Sequence, residues 1–343
     1  MVETKQLVTV LFLSIFPISP RNILAETIVL KSGNAMEAKI IERTDKDIKI
    51  NFQGTAVTYF FDEIESIDGK KNFSSSKESK KESTDNVDKN KLTEEVLELS
   101  GARQQIDNMP SLIEPQLEQY KAKQKPEVYE LLSKIMKESY KAETIYRVVS
   151  NNLLSNFDQN RISNILNWYH SPLAQKITQL EVRAFSPEAL QEMRQFATNL
   201  ESNPPQEARI NLIQNLDSVV GATDLNIELI STMGIQMLKV LQMTVPEDQR
   251  FKEQNWEDKF KSQMKSQLEP TMEQNSIISY LYTYRSLSDE DLGQYVNFFN
   301  TDDGQWLVKI LNQGYLDAMA KIGREMGSKL GDAISQMKNI SHI

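Results

Sequence analysis

The sequence predicts a mainly α protein: a duplicated helical domain behind a small N-terminal all-β, barrel-like module. Three observations predict it. Apolar residues between Glu26 and Asp68 recur with period two, those beyond Lys91 recur with the helical period of 3.6, and a motif near residue 160 returns 130 residues later. At 343 residues the chain has room for about two domains. The ranges that follow are 1–25 for a signal peptide, 26–69 for the β module, 70–90 for a linker, 91–203 for the first helical repeat and 204–343 for the second. An apolar content of 39% suffices for real cores. The formal charge of −9 argues against a nucleic-acid binder. The chain has no cysteine and two histidines, His170 and His342, which excludes disulfide scaffolds, zinc-thiolate sites and cysteine nucleophiles.

Leu7 to Ile18 is the one long apolar run. It is shorter than the roughly 20 residues that span a bilayer but suits the apolar region of a signal peptide. Lys5 precedes it, and Ile23-Leu24-Ala25 offers a cleavage position after Ala25. An uncleaved anchor and an ordinary buried segment are the alternatives. Cleavage predicts a periplasmic or secreted protein with no transmembrane span and a charge of −10. With no cysteine after the apolar run, lipid anchoring at that position is excluded.

In the β module, Ile28 and Leu30, Met36 to Ile40, Ile48 to Phe52 and Val57 to Phe61 alternate, with turn residues at 32–34, 44–47 and 53–54. Four short antiparallel strands with one buried face follow, with a fifth around Ile64 to Ile67. Leu30-Lys31-x-Gly33, the Gly54 hairpin and the closing Ile64-x-x-Ile67 together resemble small SH3-like or Sm-like barrels appended to exported bacterial proteins. An Sm-like barrel implies RNA, but a segment charge of −4 is wrong for a phosphate backbone. Such a module is either an autonomous spacer or docked on the helical part or a partner. The stretch from Lys70 to Asn90 is serine-rich and charged, which predicts a disordered tether spanning about 25 Å.

Past Lys91 the helix signals are caps. Ser171-Pro172 and Ser186-Pro187 each place an N-cap before a proline at the first helical position, and Ser288 with Asp291 forms a variant capping box. Phe157-Asp158-Gln159 to Lys176 matches Leu287-Ser288-Asp289 to Trp306 without a gap, so that Ile162, Leu166 and Tyr169 correspond to Leu292, Val296 and Phe299. Ser100-Gly101-Ala102 matches Val220-Gly221-Ala222 more weakly. The acidic N-cap, amphipathic helix and Tyr169-His170-Ser171-Pro172-Leu173-Ala174-Gln175-Lys176 resemble the exported helical family named domain of unknown function 2059. The second copy departs, with Thr301-Asp302-Asp303 in place of the Ser-Pro pair. The resemblance implies a helical envelope protein without catalytic residues to carry over.

The acidic clusters Glu94-Glu95, Asp289-Glu290-Asp291 and Asp302-Asp303 sit at helix starts, where carboxylates complement the helix dipole. His170 reads as a helix-end cation, since Asn300 is its counterpart. The aromatic stripe of Trp168, Tyr169, Phe298, Phe299 and Trp306, with Tyr280, Tyr282 and Tyr284, packs a core or lines a cavity. No phosphate-binding glycine loop, nucleophile elbow or metalloprotease motif occurs. No catalytic, metal or cofactor site is therefore expected.

Two helices invite a partner. Leu225 to Met243 is apolar nearly all round, and Met233, Met237 and Met243 are candidates for an adaptable groove for an apolar small molecule or peptide. The last helix carries Met319, Ile322, Met326, Leu330 and Met337 edged by Gly323, Gly327 and Gly331, a face fit for close helix contact within the chain or in a homodimer. The expected function is a non-enzymatic binding or structural protein of the bacterial envelope, with a protein partner or self-association. A carrier or chaperone-like protein holding an apolar ligand is the first alternative, and a hydrolase the second.

Overall fold

The computed structural model describes residues 26–31, 35–43, 47–52, 55–67, 84–121, 125–200, 202–244, 250 and 255–340. The apolar run Leu7 to Ile18, the position after Ala25, the turns at 32–34, 44–46 and 53–54, the linker over 70–83 and the Met337 side chain lie outside them. The described chain is mainly helical with five short antiparallel strands. None of its helices is long and apolar enough to cross a membrane.

The strands are β1 (Glu26–Leu30), β2 (Ala35–Arg43), β3 (Asp47–Phe52), β4 (Thr55–Phe60) and β5 (Ile64–Ile67). They form one antiparallel sheet in the order β4-β3-β2-β1-β5, with register irregularities at Val29/Leu30 and Ile40/Glu42. The period-two alternation has its expected consequence. Ile28, Leu30, Ile48, Ile50, Val57, Tyr59, Ile64 and Ile67 form one buried cluster, with Phe61 and Met243 packed against it.

The helices are α1 (Thr84–Leu99), α2 (Ala102–Lys121), α3 (Pro126–Ser139), α4 (Ala142–Ser155), α5 (Gln159–Tyr169) and α6 (Pro172–Ala184). They continue as α7 (Pro187–Leu200), α8 (Glu207–Val220), α9 (Ala222–Met243), α10 (Trp256–Thr283), α11 (Asp289–Phe299) and α12 (Asp302–Ile340). The expected disordered tether ends earlier than Asn90, because α1 begins at Thr84. Further along it, the Lys89 ammonium sits 5.5 Å from the Phe157 ring centre. The caps read from sequence are present: Asp158 accepts from the Asn160 and Arg161 amides, Ser171 from Ala174, and Ser288 from Asp291. Gly101 and Gly221 adopt φ of +75° and +65° at the α1–α2 and α8–α9 junctions, a region that disfavours residues with a Cβ.

The chain forms two compact units, and the boundaries differ from the expected division at 203/204. One unit joins the sheet to residues 235–260 and 324–343; the other comprises 82–234 and 261–323. The two matched segments thus pack into the same helical unit. The reason is that their aromatic faces complete each other: Trp168 stacks on Phe298 at 4.8 Å between ring centres and 8° between planes.

In the sheet-containing unit, Arg324 of α12 is 3% exposed and pairs with Glu63 in the β4–β5 turn at 3.0 Å. Its guanidinium also lies 5.7 and 5.6 Å from the Tyr59 and Phe60 ring centres. Glu63 Oε2 accepts from the Phe60 amide as well, so one carboxylate closes the turn and neutralises the arginine. The sheet is therefore packed on this chain's own C-terminal helix. Lys239 of α9 is likewise buried and pairs with Glu257 of α10 at 2.8 Å.

The glycine face of α12 meets α9. A Cβ on Gly327 would lie 2.6 Å from the Met237 carbonyl oxygen and 2.9 Å from Val240 Cβ, and one on Gly331 would lie 2.6 Å from Thr244 Cγ2. In the helical unit, a Cβ on Gly323 would collide with the Met233 carbonyl oxygen. The contact partner of these glycines is thus a helix of the same chain. Met233, Met237 and Met243 have partners within the chain. Met237 is buried beneath Gly327, Met243 packs on the sheet's core, and Tyr140 Oη lies 3.1 Å from Met319 Sδ and 3.7 Å from Met233 Sδ. Flexible thioethers fill the irregular space that a close helix approach leaves.

Two stability predictions follow from these contacts. Gly323→Ala should cost about 1–3 kcal/mol by overpacking, whereas Gly293→Ala in the interior of α11, where nothing lies within 4 Å of the new methyl, should gain about 0.5–1 kcal/mol in urea titrations. Glu63→Gln leaves a buried cation without a counter-charge and should cost about 3 kcal/mol. Arg324→Met should cost less, because the side chain it strands, Glu63, is 17% exposed. The double variant should recover most of the loss, read by the same titrations.

Candidate functional site

The helical unit holds a partly open cavity of about 310 Å³ lined by residues of eight helices and their junctions. Its wall carries Tyr169, Tyr280, Tyr284, Tyr295 and Tyr315 and, among the described residues, a single carboxylate, Glu181. Among the described residues no lysine, arginine or histidine lines it.

Local sequence explains how Glu181 gets there. Ser171 and Pro172 start α6, and its apolar stripe runs Ala174, Ile177, Glu181, Ala184 at helical spacing. Glu181 occupies a core position of that stripe. Its Oε1 accepts from the Tyr284 hydroxyl at 2.5 Å and the Tyr295 hydroxyl at 2.6 Å. Its Oε2 accepts from no described residue. Tyr284 is held by the Arg209 guanidinium, which donates to the Tyr284 carbonyl at 2.6 Å and pairs with Asp289 at 2.7 Å, pinning the turn between α10 and α11. Tyr295 is fixed by the Ser288 cap of α11 and an edge contact with Phe299 at 4.9 Å.

Electrostatics sets Glu181 apart from the nearby Glu192. Glu192 accepts from Tyr282 and has Arg183 and Arg285 at 3.7 and 3.8 Å; the tyrosine hydrogen bond first, and the two cations after it, hold its carboxyl below the usual range. Glu181 has no such cation. Burial pushes its carboxyl up, only partly offset by the two tyrosine hydrogen bonds. Burial also pushes the Tyr284 and Tyr295 hydroxyls well above their ordinary range, so both stay protonated donors.

The wall has an internal correspondence. At the 130-residue offset, Tyr169, Glu181 and Phe185 match Phe299, Leu311 and Tyr315, and all six line the cavity. At the 120-residue offset of the weaker match, Ser100, Ala102 and Gln105 match Val220, Ala222 and Leu225, and these also line it. In four of these six pairs the more polar member comes from the first segment.

A second cavity of about 670 Å³ shares Leu225 and Asn312 with the first and is lined by Asp224, Glu228, Lys261 and Lys265. Neither of these two cavities is lined by Met233, Met237 or Met243. The acidic clusters go to separate partners. Glu95 meets His170 at 3.2 Å, Asp289 meets Arg209, Asp291 meets Lys176 at 3.6 Å, and Asp303 meets Arg161 at 3.3 Å and Asn164 at 2.8 Å. Among the described residues no three acidic or histidine side chains gather as a metal site. Of the aromatic stripe, Tyr169, Tyr280, Tyr284 and Phe299 reach the cavity, while Trp168 and Phe298 stack outside it. Reading the sequence for clustered charge passes over Glu181. The signal for it is a carboxylate on an apolar stripe, with leucine at the matching place 130 residues on.

No family model, curated protein or solved structure matches the chain. The function has to be read from its own residues.

The raised carboxyl of Glu181 sets a pH dependence of stability. The unfolded chain releases this proton near pH 4.5, while the folded chain holds it to higher pH. The contribution is present below 4.5 and is lost as pH rises through the raised folded value. Glu181→Gln lacks that loss, so its melting temperature relative to the natural protein should climb between pH 4.5 and 7 in thermal scans. An unchanged difference across that range would contradict the assignment.

Proposed function

We propose that this chain is an exported, non-enzymatic binding protein of the bacterial envelope, whose helical unit holds a small organic molecule in the tyrosine-lined cavity. The observation that carries the reading is the cavity itself: about 310 Å³, mostly apolar, with a few convergent polar groups. That is the composition of a small-molecule site, at the lower end of the usual volume range. At about 30 Å³ per water-sized group it has room for about ten non-hydrogen atoms. The carrier reading therefore moves from the methionines to Glu181 and its tyrosines.

Export is supported by the apolar run before Ala25 and by the resemblance of residues 157–176 to an exported helical family. Duplication of the helical segment is supported by the matched wall positions and by local geometry. Both α5 and α11 have eleven residues, and their C-caps, His170 and Asn300, have φ, ψ of −74°, −12° and −78°, −9°. We read the five strands as the barrel-like module expected from the sequence, serving to anchor the C-terminal helix through Arg324 rather than to bind RNA.

Native mass spectrometry of protein purified from a bacterial periplasm without detergent tests the binding reading. A mass above the polypeptide by that of one small molecule is expected. The bare polypeptide mass, with no thermal stabilisation by the neutral apolar dye Nile red, would overturn it. N-terminal sequencing of the same sample should begin at Glu26.

A further inference from the structure

We infer that the cavity selects a small amphiphile bearing a protonated amine, its ammonium group against Glu181 and its apolar body against Val220, Leu225, Phe299 and Leu311. The inference rests on the binding reading above and adds the ligand's charge and orientation. Among the described residues the wall supplies one carboxylate and no cationic side chain, which favours a cation in the space it lines. Glu181 Oε1 is engaged by two hydroxyls, which fixes the carboxylate's position and leaves Oε2 without a described donor. A half-buried carboxylate without a cationic neighbour favours a counter-charge, and Glu192 shows what the same chain does where it provides one, with Arg183 and Arg285 alongside. Inside the cavity the counter-charge has to come from the ligand.

The aromatic content points the same way. Five tyrosine rings line the space, and aromatic faces attract cations, most strongly where water is excluded. Glu181 orients the molecule: the ammonium group meets the carboxylate, and Val220, Leu225, Phe299 and Leu311, which line the same cavity, offer apolar surface to its body. A fatty acid or other anion would set like charge against Glu181. A hydrocarbon would leave the carboxylate desolvated and uncompensated. Calcium or magnesium wants six or more oxygen ligands, whereas here one carboxylate already has an oxygen engaged.

The test is isothermal titration of the purified protein with three probes of one shape: 2-phenylethylamine, 2-phenylethanol and 3-phenylpropanoate. The amine should bind about ten-fold tighter than the alcohol, and the carboxylate weakest, as expected of a charge-assisted contact. Glu181→Gln should bring the amine to within about three-fold of the alcohol, whose own affinity should hold. Equal binding of amine and alcohol by the natural protein, or tightest binding of the carboxylate, overturns the ligand class while leaving the binding reading intact. Binding of Nile red with none of the three probes does the same. Failure of all four compounds overturns both. If Glu181→Gln does not fold, the ranking of the three probes on the natural protein decides alone.

Discussion

Much of the structure depends on the close contact between α9 and α12. At Gly323, Gly327 and Gly331 of α12 a side chain would strike the backbone or a side chain of α9 and the residue that follows it. Each glycine weakens an isolated helix by about 1 kcal/mol relative to alanine. Tertiary packing offsets that cost, since the approach it permits seals Met237, Val240, Ile322, Met326 and Leu330 from water. Other features hang on the same helix. Its first turns bring Leu307, Val308, Leu311, Asn312 and Tyr315 to the cavity wall, and further along it carries Arg324. A helix of 39 residues held by close contact can position side chains for quite different purposes along its length.

The cavity is uneven in its chemistry. At positions 130 or 120 residues apart in sequence, Leu311 stands against Glu181, Phe299 against Tyr169 and Leu225 against Gln105. The hydroxyls of Tyr284 and Tyr295 add two donors to the carboxylate of Glu181, so its polar chemistry gathers around one group.

The sequence is legible where a local rule dominates. Alternation from Ile28 to Ile67 specifies five strands and their buried face, because a one-residue slip would turn every apolar side chain outward. Ser171, Ser288 and Asp158 announce helix starts because their oxygens meet orphan amides within a few residues. Legibility fails where the deciding partner is distant in sequence. Nothing near Met233 tells that Tyr140 and Met319 meet there, so a methionine stripe looks open when it is packed. Nothing near Glu181 announces Tyr284, 103 residues away, or Tyr295, 114 away. Thr84 to Asn90 reads as polar linker because composition says nothing of the ring at Phe157 beneath Lys89.

Arg324 and Glu63 are separated by 261 residues of chain. At ribosomal rates of about 5–20 residues per second, the turn bearing Glu63 waits on the order of tens of seconds for its arginine to be made. During that interval the five strands have neither the guanidinium at their turn nor the helix segments that belong to their compact unit. A sheet this small is marginal by itself, and its unpaired outer strands are templates for pairing with other chains. Maturation of this unit is thus tied to synthesis of α12, and any agent that shields the nascent strands, or delays their folding until that helix emerges, would act at the most exposed moment in the unit's life.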